Sequence, residues 1–297
     1  MKGKDIYMII NKIQNTHFSE SEEVILRYIL SQSEAIEPMT IQDIANATYT
    51  SAPLLVRISK KLGYKGWSDF KKAFLEELHY MFQSQDIDAT IPFVEDDDTV
   101  TIANNILTLH SETAEDTRKL LKHDELNKAI TLLNEAEVID VYAKACYEYT
   151  GRLFQNKMHT INKNVLMMSD PILQAAMSNE KHAAIVVSYS GETSRMVKVA
   201  HMLKERHTPI VAITSISQSE LSHLADAILH ISSREMLNTK IADFASTESI
   251  NCLFDILYAG IFAKDYNKNL DYKMTIAENI DDNFSEYAFI DEDNSKL

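Results

Sequence analysis

The sequence predicts two domains, an all-α helix-turn-helix domain at the N-terminus followed by a doubly wound α/β domain with a parallel sheet. Three short helical segments, each with its own capping signal, lie within residues 1–82. Farther along, short apolar runs alternate with helical patterns, which is typical of parallel strands covered on both faces. A chain of 297 residues is long enough to bury a core in each domain.

Charge is distributed unevenly between these two regions. The net charge is −15, yet residues 1–82 hold ten basic and ten acidic residues, so the whole excess falls after residue 82. Net charge alone speaks against non-specific nucleic-acid binding. Between residues 57 and 72, however, basic residues cluster and Asp69 is the only acidic residue. The basic residues are Arg57, Lys60, Lys61, Lys65, Lys71 and Lys72. Such a patch attracts a phosphate backbone.

The composition also sets the expected environment. The two cysteines, Cys146 and Cys252, lack the spacing of a zinc site or a disulfide framework, so no metal and no other cofactor is expected. No apolar run is long enough to cross a bilayer, and the first residues lack a signal-peptide pattern. These features indicate a cytoplasmic protein without a membrane partner.

Two helices open the N-terminal domain. The first begins at a cap formed by Ser19 or Ser21, with acidic residues in its first turn. The second covers 41–47 after Thr40, and Asp43 stands where a capping box carries Glu or Gln. The first helix is expected to end near Ser33, and the second is short.

A third helix follows a brief turn, with Ser51 as N-cap and Gly63 just past its end. Its predicted buried stripe consists of Leu55, Ile58 and Leu62. Its predicted outward residues are Ala52, Val56, Arg57, Ser59, Lys60 and Lys61. Two helices joined in this way match the helix-turn-helix pattern, in which the second helix enters the major groove. From the pattern alone, a small helical subdomain with a solvated basic face is an alternative.

An acidic, polar stretch over 83–100 predicts a linker between the domains. Thr99 is the expected cap of a connecting helix that can carry dimer contacts, and its apolar positions are Ile102, Ile106, Leu109, Thr113, Leu120 and Leu121. The chain beyond residue 264 is polar and ends in an acidic run over 291–293. We expect this tail to be frayed, or packed only by Phe284, Tyr287 and Phe289.

The C-terminal domain is organised around one strand, loop and helix. Five apolar runs predict strands at 138–142, 164–168, 183–187, 209–214 and 227–231. The third run leads into a loop, Ser188 to Thr193, and then into an amphipathic helix. Hydroxyls beside the unpaired N–H groups of a helix start form an anion site, and a phosphate fits there. An ordinary N-cap at Ser190 or Thr193 explains the same residues.

This loop, together with the later stretches 213–215 and 219–226, resembles the sugar isomerase (SIS) domain, a phosphosugar-binding family. The resemblance covers about 124–263 and implies that the loop holds a phosphate. The ligand-binding residues that it implies are Ser188, Ser190, Gly191, Glu192, Thr193, Cys146, Tyr147 and Glu248.

The chain departs from the SIS pattern after the first strand. The family usually has a loop of the form G-x-G-x-S there, whereas this chain has Ala143, Ala145 and Tyr147 at those three positions. Without the glycines the backbone approaches a ligand less closely, so the pocket is expected to be smaller, differently filled or lost. Lys144 is a candidate replacement charge, or simply a solvated lysine.

The N-terminal stretches 39–45 and 56–71 resemble the DNA-binding domain of the RpiR/MurR family of bacterial regulators, which join such a domain to an SIS domain in this order. The DNA-binding residues implied are Thr40, Tyr49, Thr50, Ser51, Arg57, Lys60, Lys61 and Lys65. The family usually has Thr where Leu54 stands, so a phosphate contact falls to Ser51, Thr50 or Tyr49, or is absent. Trp67 is expected in the core.

The resemblance implies a transcription regulator of carbohydrate metabolism that binds operator DNA and responds to a phosphorylated sugar, as a homodimer or homotetramer. The expected divisions are 1–82 for DNA binding, 83–123 for the linker and connecting helix, 124–264 for the SIS domain, and 265–297 for an acidic tail. No catalytic residue is expected. Two alternatives stay open: a phosphosugar isomerase or deaminase, for which Glu248 is the one well-placed base, and a regulator whose SIS domain only dimerises.

Overall fold

The structure is a computed structural model that describes residues 9, 12–13, 16–82, 87–236 and 239–280. The first domain contains α1 (Glu20–Gln32), a 3₁₀ turn (Ser33–Ile36), α2 (Ile41–Ala47), α3 (Ala52–Lys61) and α4 (Trp67–Phe82). The strands are β1 (Val138–Tyr142), β2 (Val165–Leu166), β3 (His182–Val187), β4 (Ile210–Thr214) and β5 (Ala227–His230). The remaining helices are α5 (Thr99–Leu120), α6 (His123–Glu135), α7 (Cys146–His159), α8 (Pro171–Met177), α9 (Ser194–Glu205), α10 (Glu220–Leu224), α11 (Phe244–Lys264) and α12 (Tyr266–Ile280).

The helix starts of the first domain follow the predicted capping chemistry. Ser19 caps α1 in a capping box with Glu22, and Thr40 caps α2 in a capping box with Asp43. Ser51 is the N-cap residue of α3, although its side chain makes no capping bond. Trp67 is buried, as expected, and the core also contains Ile25, Ile29, Ile44, Leu55, Ile58, Leu62, Phe70 and Phe74.

The end of α3 is set by Gly63, which lies at φ +91°. The N–H of Tyr64 donates to the carbonyl of Ser59 at 2.9 Å and that of Gly63 donates to the carbonyl of Lys60 at 3.1 Å, a Schellman motif. The predicted buried stripe is confirmed. The prediction that Ser59 faces outward is wrong: it is fully buried, because its hydroxyl can donate to the Leu55 carbonyl at 2.8 Å.

The second domain is a five-stranded parallel sheet in the order β2-β1-β3-β4-β5, which confirms the doubly wound prediction. Its third strand is central and almost wholly buried. One face packs against α6, α7 and α11, and the other packs against α8, α9 and α10. The loop after β3 therefore lies at the carboxyl edge of the sheet, where open α/β folds bind ligands.

The connecting helix α5 packs along α11, and the hydroxyls of Thr117 and Ser249 meet at 2.7 Å between them. The predicted cap at Thr99 is off by one residue. Asp98 is the N-cap, because its carboxylate reaches the N–H groups of Val100 and Thr101 at 2.8 and 2.9 Å. No helix within the described ranges is both long enough and apolar enough to span a bilayer.

The start of the predicted frayed tail is helical. Helix α12 is held to the end of α11 by an edge-to-face contact between Phe262 and Tyr266, with ring centroids 5.2 Å apart. The buried Asn269 amide donates to the Phe262 carbonyl at 3.0 Å. These contacts pack α12 against the end of α11, a contact that the polar sequence of the tail did not indicate. The proposed packing residues Phe284, Tyr287 and Phe289 lie outside the described residues.

Candidate functional site

The loop after β3 is shaped by Gly191, which lies at φ +67°. A Cβ atom at this position would lie 2.0 Å from the Ser219 hydroxyl oxygen and 2.5 Å from its Cβ. The Gly191 carbonyl accepts the N–H of Leu221 at 3.2 Å. The backbone thus lies directly against the start of α10, which only glycine allows.

The hydroxyls of this loop are grouped at the start of α9. Ser188 donates to the Thr193 hydroxyl at 3.0 Å, and the Ser190 hydroxyl accepts the N–H of Glu192 at 3.2 Å. Thr193 is the N-cap residue, yet no side chain caps α9 in the described part of the chain. The N–H donors at the start of α9 and the positive end of the helix dipole therefore lie beside several hydroxyls, an arrangement that suits a phosphate.

The loop after β1 brings Ala145, Cys146 and Tyr147 toward the start of α11. Ala145 adopts φ +57° and ψ −130°, a conformation that glycine favours, at a position where SIS domains usually carry glycine. The thiol of Cys146 donates to the Asp243 carboxylate at 3.2 Å, and the hydroxyl of Tyr147 donates to the Ser246 hydroxyl at 3.1 Å. The side chains of Cys146 and Tyr147 thus lie beside the positions where SIS domains usually carry glycine. Lys144 is exposed.

The carboxylate of Glu235 lies buried at the start of α11, and no sequence pattern indicated this position. Glu235 is fully buried and accepts from the N–H of Ala245, from the N–H and hydroxyl of Ser246 at 3.1 and 2.7 Å, and from the Lys240 ammonium at 3.1 Å. The hydroxyl of Tyr189 donates to the Glu235 carbonyl at 2.6 Å. The loop after β3 and the start of α11 are therefore joined through Glu235.

Lys240 completes this charged group. It also pairs with Asp243, and its ammonium lies 4.9 Å from the centroid of the Tyr189 ring. Burial lowers the pKa of Lys240, but the negative charges of Glu235 and Asp243 outweigh it and raise the pKa overall. Burial followed by the nearby Asp243 carboxylate raises the pKa of Cys146 to about 11, so its thiol is a poor nucleophile.

Glu248 lies elsewhere on α11. Its carboxylate is 3.8 Å from Nδ1 of His110 on α5 and accepts from the Cys252 thiol at 3.6 Å. Glu248 thus contacts the connecting helix α5 and a residue of its own helix. Among the described residues, no group of three or more His, Cys, Asp or Glu side chains is arranged to hold a metal ion.

In the first domain, a buried acid orients two of the predicted DNA-binding bases. Glu22 pairs with Arg57, Nε to Oε1 at 3.2 Å, and with Lys61, Nζ to Oε2 at 3.1 Å. The N–H of Ser19, followed by Lys61, lowers the pKa of Glu22 to about 2 despite burial. The Arg57 side chain is 66% exposed, so Glu22 holds its Nε while the rest of the guanidinium faces solvent.

The other bases of the cluster fall into two classes. Lys71 donates to the carbonyls of Glu37 and Met39 at 2.7 and 2.8 Å, and Lys72 lies 3.8 Å from Glu76. The side chains of Lys60 and Lys65 are exposed and form no ion pair within the described ranges. The ammonium groups of these two lysines are therefore open to phosphate.

The turn before α3 presents Tyr49 to solvent. This side chain is 98% exposed and its backbone lies at φ +54°, where glycine is usual. The N–H of Thr50 donates to the Ala45 carbonyl at 2.8 Å, and the hydroxyls of Thr48 and Thr50 meet at 2.8 Å. The turn is fixed by its hydrogen bonds while Tyr49 and the neighbouring Ser51 face outward.

Two predicted positions in this domain have local structural partners. The Thr40 hydroxyl donates to the Asp43 carboxylate at 2.7 Å at the exposed start of α2. Leu54, which stands where RpiR-family proteins usually have Thr, is partly buried against the domain core. A side-chain phosphate contact by Tyr49, Thr50 or Ser51, or the absence of one, stays a prediction.

Comparison with known proteins places both domains. The helix-turn-helix domain of the rpiR family matches residues 7–80, and the SIS domain matches residues 132–251. An uncharacterized HTH-type transcriptional regulator of Caldanaerobacter subterraneus subsp. tengcongensis is 27% identical over 277 residues, which cover 92% of this chain and 96% of the relative. The uncharacterized HTH-type transcriptional regulator YbbH of Bacillus subtilis is 26% identical over 257 residues, which cover 85% of this chain and 89% of the relative.

A solved structure is similar over both domains. The Vibrio vulnificus NanR protein complexed with ManNAc-6P superposes with a TM-score of 0.60 at 26% identity, over 92% of this chain and 97% of NanR. Along the chain the helix-turn-helix match contains α2 and α3, and the SIS match that follows it contains the loop after β3. The chain belongs to the RpiR family of helix-turn-helix transcriptional regulators that carry an SIS domain.

Proposed function

We propose that this protein controls transcription of carbohydrate genes by binding operator DNA through α3 and by sensing a sugar phosphate at the loop after β3. One observation carries the proposal. The start of α9 has no side-chain cap within the described residues, and the hydroxyls of Ser188, Ser190 and Thr193 gather beside it. A dianionic phosphate would accept hydrogen bonds from the first N–H groups of α9 and from hydroxyls of this loop. The similarity to NanR, which was solved with ManNAc-6P, supports the same class of ligand.

Operator binding rests on the exposed surface around α3. Lys60 and Lys65 supply free ammonium groups, and Glu22 holds Arg57 and Lys61 beside them. Two copies of α3 are needed to read two half-sites one helical turn apart, so we propose a two-fold assembly. A homodimer or a pair of dimers satisfies this requirement.

The site offers little for isomerase chemistry, which supports a sensing role. Proton transfer beside a carbonyl needs a carboxylate or imidazole free to take the proton. Glu235, the buried carboxylate near the loop, already accepts four hydrogen bonds. Glu248 contacts His110 and Cys252 instead.

Calorimetry with a panel of sugar phosphates tests ligand binding. ManNAc-6P, glucosamine 6-phosphate and glucose 6-phosphate are titrated into the full chain, with inorganic phosphate as the reference anion. Ser190→Ala should abolish the heat of the phosphosugar that binds, while Thr131→Ala, an exposed hydroxyl on α6, should leave it unchanged. Equal heats for wild type and Ser190→Ala would place the ligand elsewhere, and no heat from any compound would favour an SIS domain that only dimerises.

Fluorescence anisotropy with the DNA upstream of the protein's own gene tests operator binding. Lys60→Gln should weaken binding and reduce the slope of log K against log[salt] by about 0.9 if one phosphate contact is lost. Lys268→Gln removes the same charge from the exposed face of α12 and should change neither quantity. If both variants behave like wild type, Lys60 makes no phosphate contact.

A further inference from the structure

One segment of the second domain contacts both the proposed phosphosugar site and the interdomain linker. This segment, residues 232–243, joins β5 to α11 and is described except for 237–238. It carries Arg234 and Glu235 side by side, and both are buried. Two adjacent residues whose side chains point in different directions allow one segment to contact two surfaces.

Glu235 makes the contacts on the site side. Its carbonyl accepts from the hydroxyl of Tyr189, the second residue of the loop after β3, at 2.6 Å. Its carboxylate accepts the N–H groups of Ala245 and Ser246 at the start of α11 and the ammonium of Lys240. A ligand that moves Tyr189 or competes for Lys240 therefore acts directly on the segment.

Arg234 makes the contacts on the linker side. Its guanidinium donates to the Ile87 carbonyl at 2.8 Å, pairs with Glu112 of α5 at 2.7 Å and lies 3.8 Å from Asp116. The Arg234 side chain is only 5% exposed, and its Nη1 has no hydrogen-bond partner in the described part of the chain. A buried guanidinium with one donor unused keeps this arrangement only while both acids stay in place.

Thr90 adds a second connection to the same linker. Its hydroxyl accepts the N–H of Met236 at 3.1 Å, and its carbonyl accepts the N–H of Ile241 at 3.0 Å. Ala89 is buried with Leu109 of α5 and Ala245 of α11. The linker from residue 87 onward is thus packed onto the segment, and only 83–86 lie between it and the end of α4.

We propose that the segment 232–243 transmits occupancy of the phosphosugar site to the DNA-binding domain by releasing or tightening the linker held by Arg234 and Thr90. This inference rests on the proposed function, since it assigns the route by which the ligand acts. A ligand shifts operator affinity only if it binds the two arrangements of the segment differently. Glu235 contacts the site and its neighbour Arg234 contacts the linker. A ligand that favours one arrangement of Glu235 would therefore also favour one arrangement of the linker.

The test uses Thr90→Val together with Glu112→Gln, which remove the hydroxyl acceptor and one charged partner while preserving side-chain shape. In wild type we expect the bound sugar phosphate to change operator affinity by about 5- to 150-fold, the usual range of allosteric coupling. In the double variant the heat of ligand binding should persist, and the change in operator affinity should fall several-fold. Glu115→Gln alters an exposed acid of the same helix, paired with Arg118, and should keep the wild-type response.

The outcomes distinguish failure of the proposed function from failure of the proposed route. If no compound of the panel, ManNAc-6P included, changes operator affinity in wild type, the proposed function and this inference both fail. If wild type responds and the double variant responds equally, only the inference fails.

Hydrogen exchange on the wild-type protein gives an independent measurement, should the double variant not fold. A bound sugar phosphate should change the exchange rates of the amides of 87–91 together with those of 232–236. A change confined to the loop after β3 would overturn the inference.

Discussion

Glu22 is the residue whose replacement should change the first domain most informatively. Its carboxylate is 97% buried beneath Arg57 and Lys61, and its pKa drops from 4.5 to about 2, first through the N–H of Ser19 and then through Lys61. That drop corresponds to about 3 kcal/mol of folding free energy at pH 7, as an order of magnitude. Glu22→Gln preserves the shape and an acceptor for Ser19 but removes the charge. We therefore expect it to lower the free energy of unfolding by up to about 3 kcal/mol at pH 7.

The pH dependence of this loss has a defined sign. The pKa of Glu22 is lower in the folded chain than in the unfolded chain, so its stabilisation is complete above pH 4.5 and is lost as the pH falls toward 2. The difference between wild type and Glu22→Gln should therefore shrink to about 1 kcal/mol at pH 3. Other acids titrate in both proteins and cancel in the comparison.

The single tryptophan makes the assay specific for this domain. Trp67 is the only one in the chain and is buried beside Phe70. Urea unfolding followed by its fluorescence, at pH 7 and pH 3, reports on the domain that contains Glu22. Glu23→Gln removes an exposed acid paired with Arg27 and should cost less than about 1 kcal/mol. A Glu22→Gln protein as stable as wild type, or a difference that is the same at both pH values, would refute the reasoning.

Three further predictions concern backbone positions. Gly191→Ala should lower the unfolding midpoint and abolish phosphosugar heat in calorimetry, because its Cβ would lie 2.0 Å from the Ser219 hydroxyl; retained binding would show that the loop can move. Tyr49→Gly should stabilise the first domain by about 1 kcal/mol in urea unfolding, since it relieves φ +54°, and should weaken operator binding in anisotropy. Unchanged operator affinity would remove Tyr49 from the DNA interface. Ala145→Gly should raise the thermal midpoint by relieving φ +57°, a gain of about 1 kcal/mol, and a lower midpoint would contradict that source of strain.

Local chemistry made much of this fold predictable. The apolar run of β3 and the glycine after α3 are signals contained in a few consecutive residues, so the strand and the end of the helix could be predicted from the sequence. The same holds for the capping box at Thr40. The order of two domain resemblances then indicated the family.

Long-range partners account for what the sequence did not reveal. Glu235 and Arg234 stand in an ordinary polar stretch, and their importance comes from Tyr189, Ile87 and Glu112, which are far away along the chain. Periodicity could not place these contacts because Arg234 and Glu235 lie in a loop and their partners come from distant parts of the chain. Helix α12 was missed for a related reason, since its packing depends on the end of α11 rather than on its own apolar pattern.

The packed linker limits how far each recognition helix can search. Only residues 83–86 separate the end of α4 from the docked residue 87, and a stretch of four residues reaches at most about 14 Å. In a two-fold assembly the second helix therefore samples a small volume around its base, which gives a high effective concentration for half-sites within reach. An operator whose half-sites lie farther apart engages one helix at a time and loses the avidity of the pair.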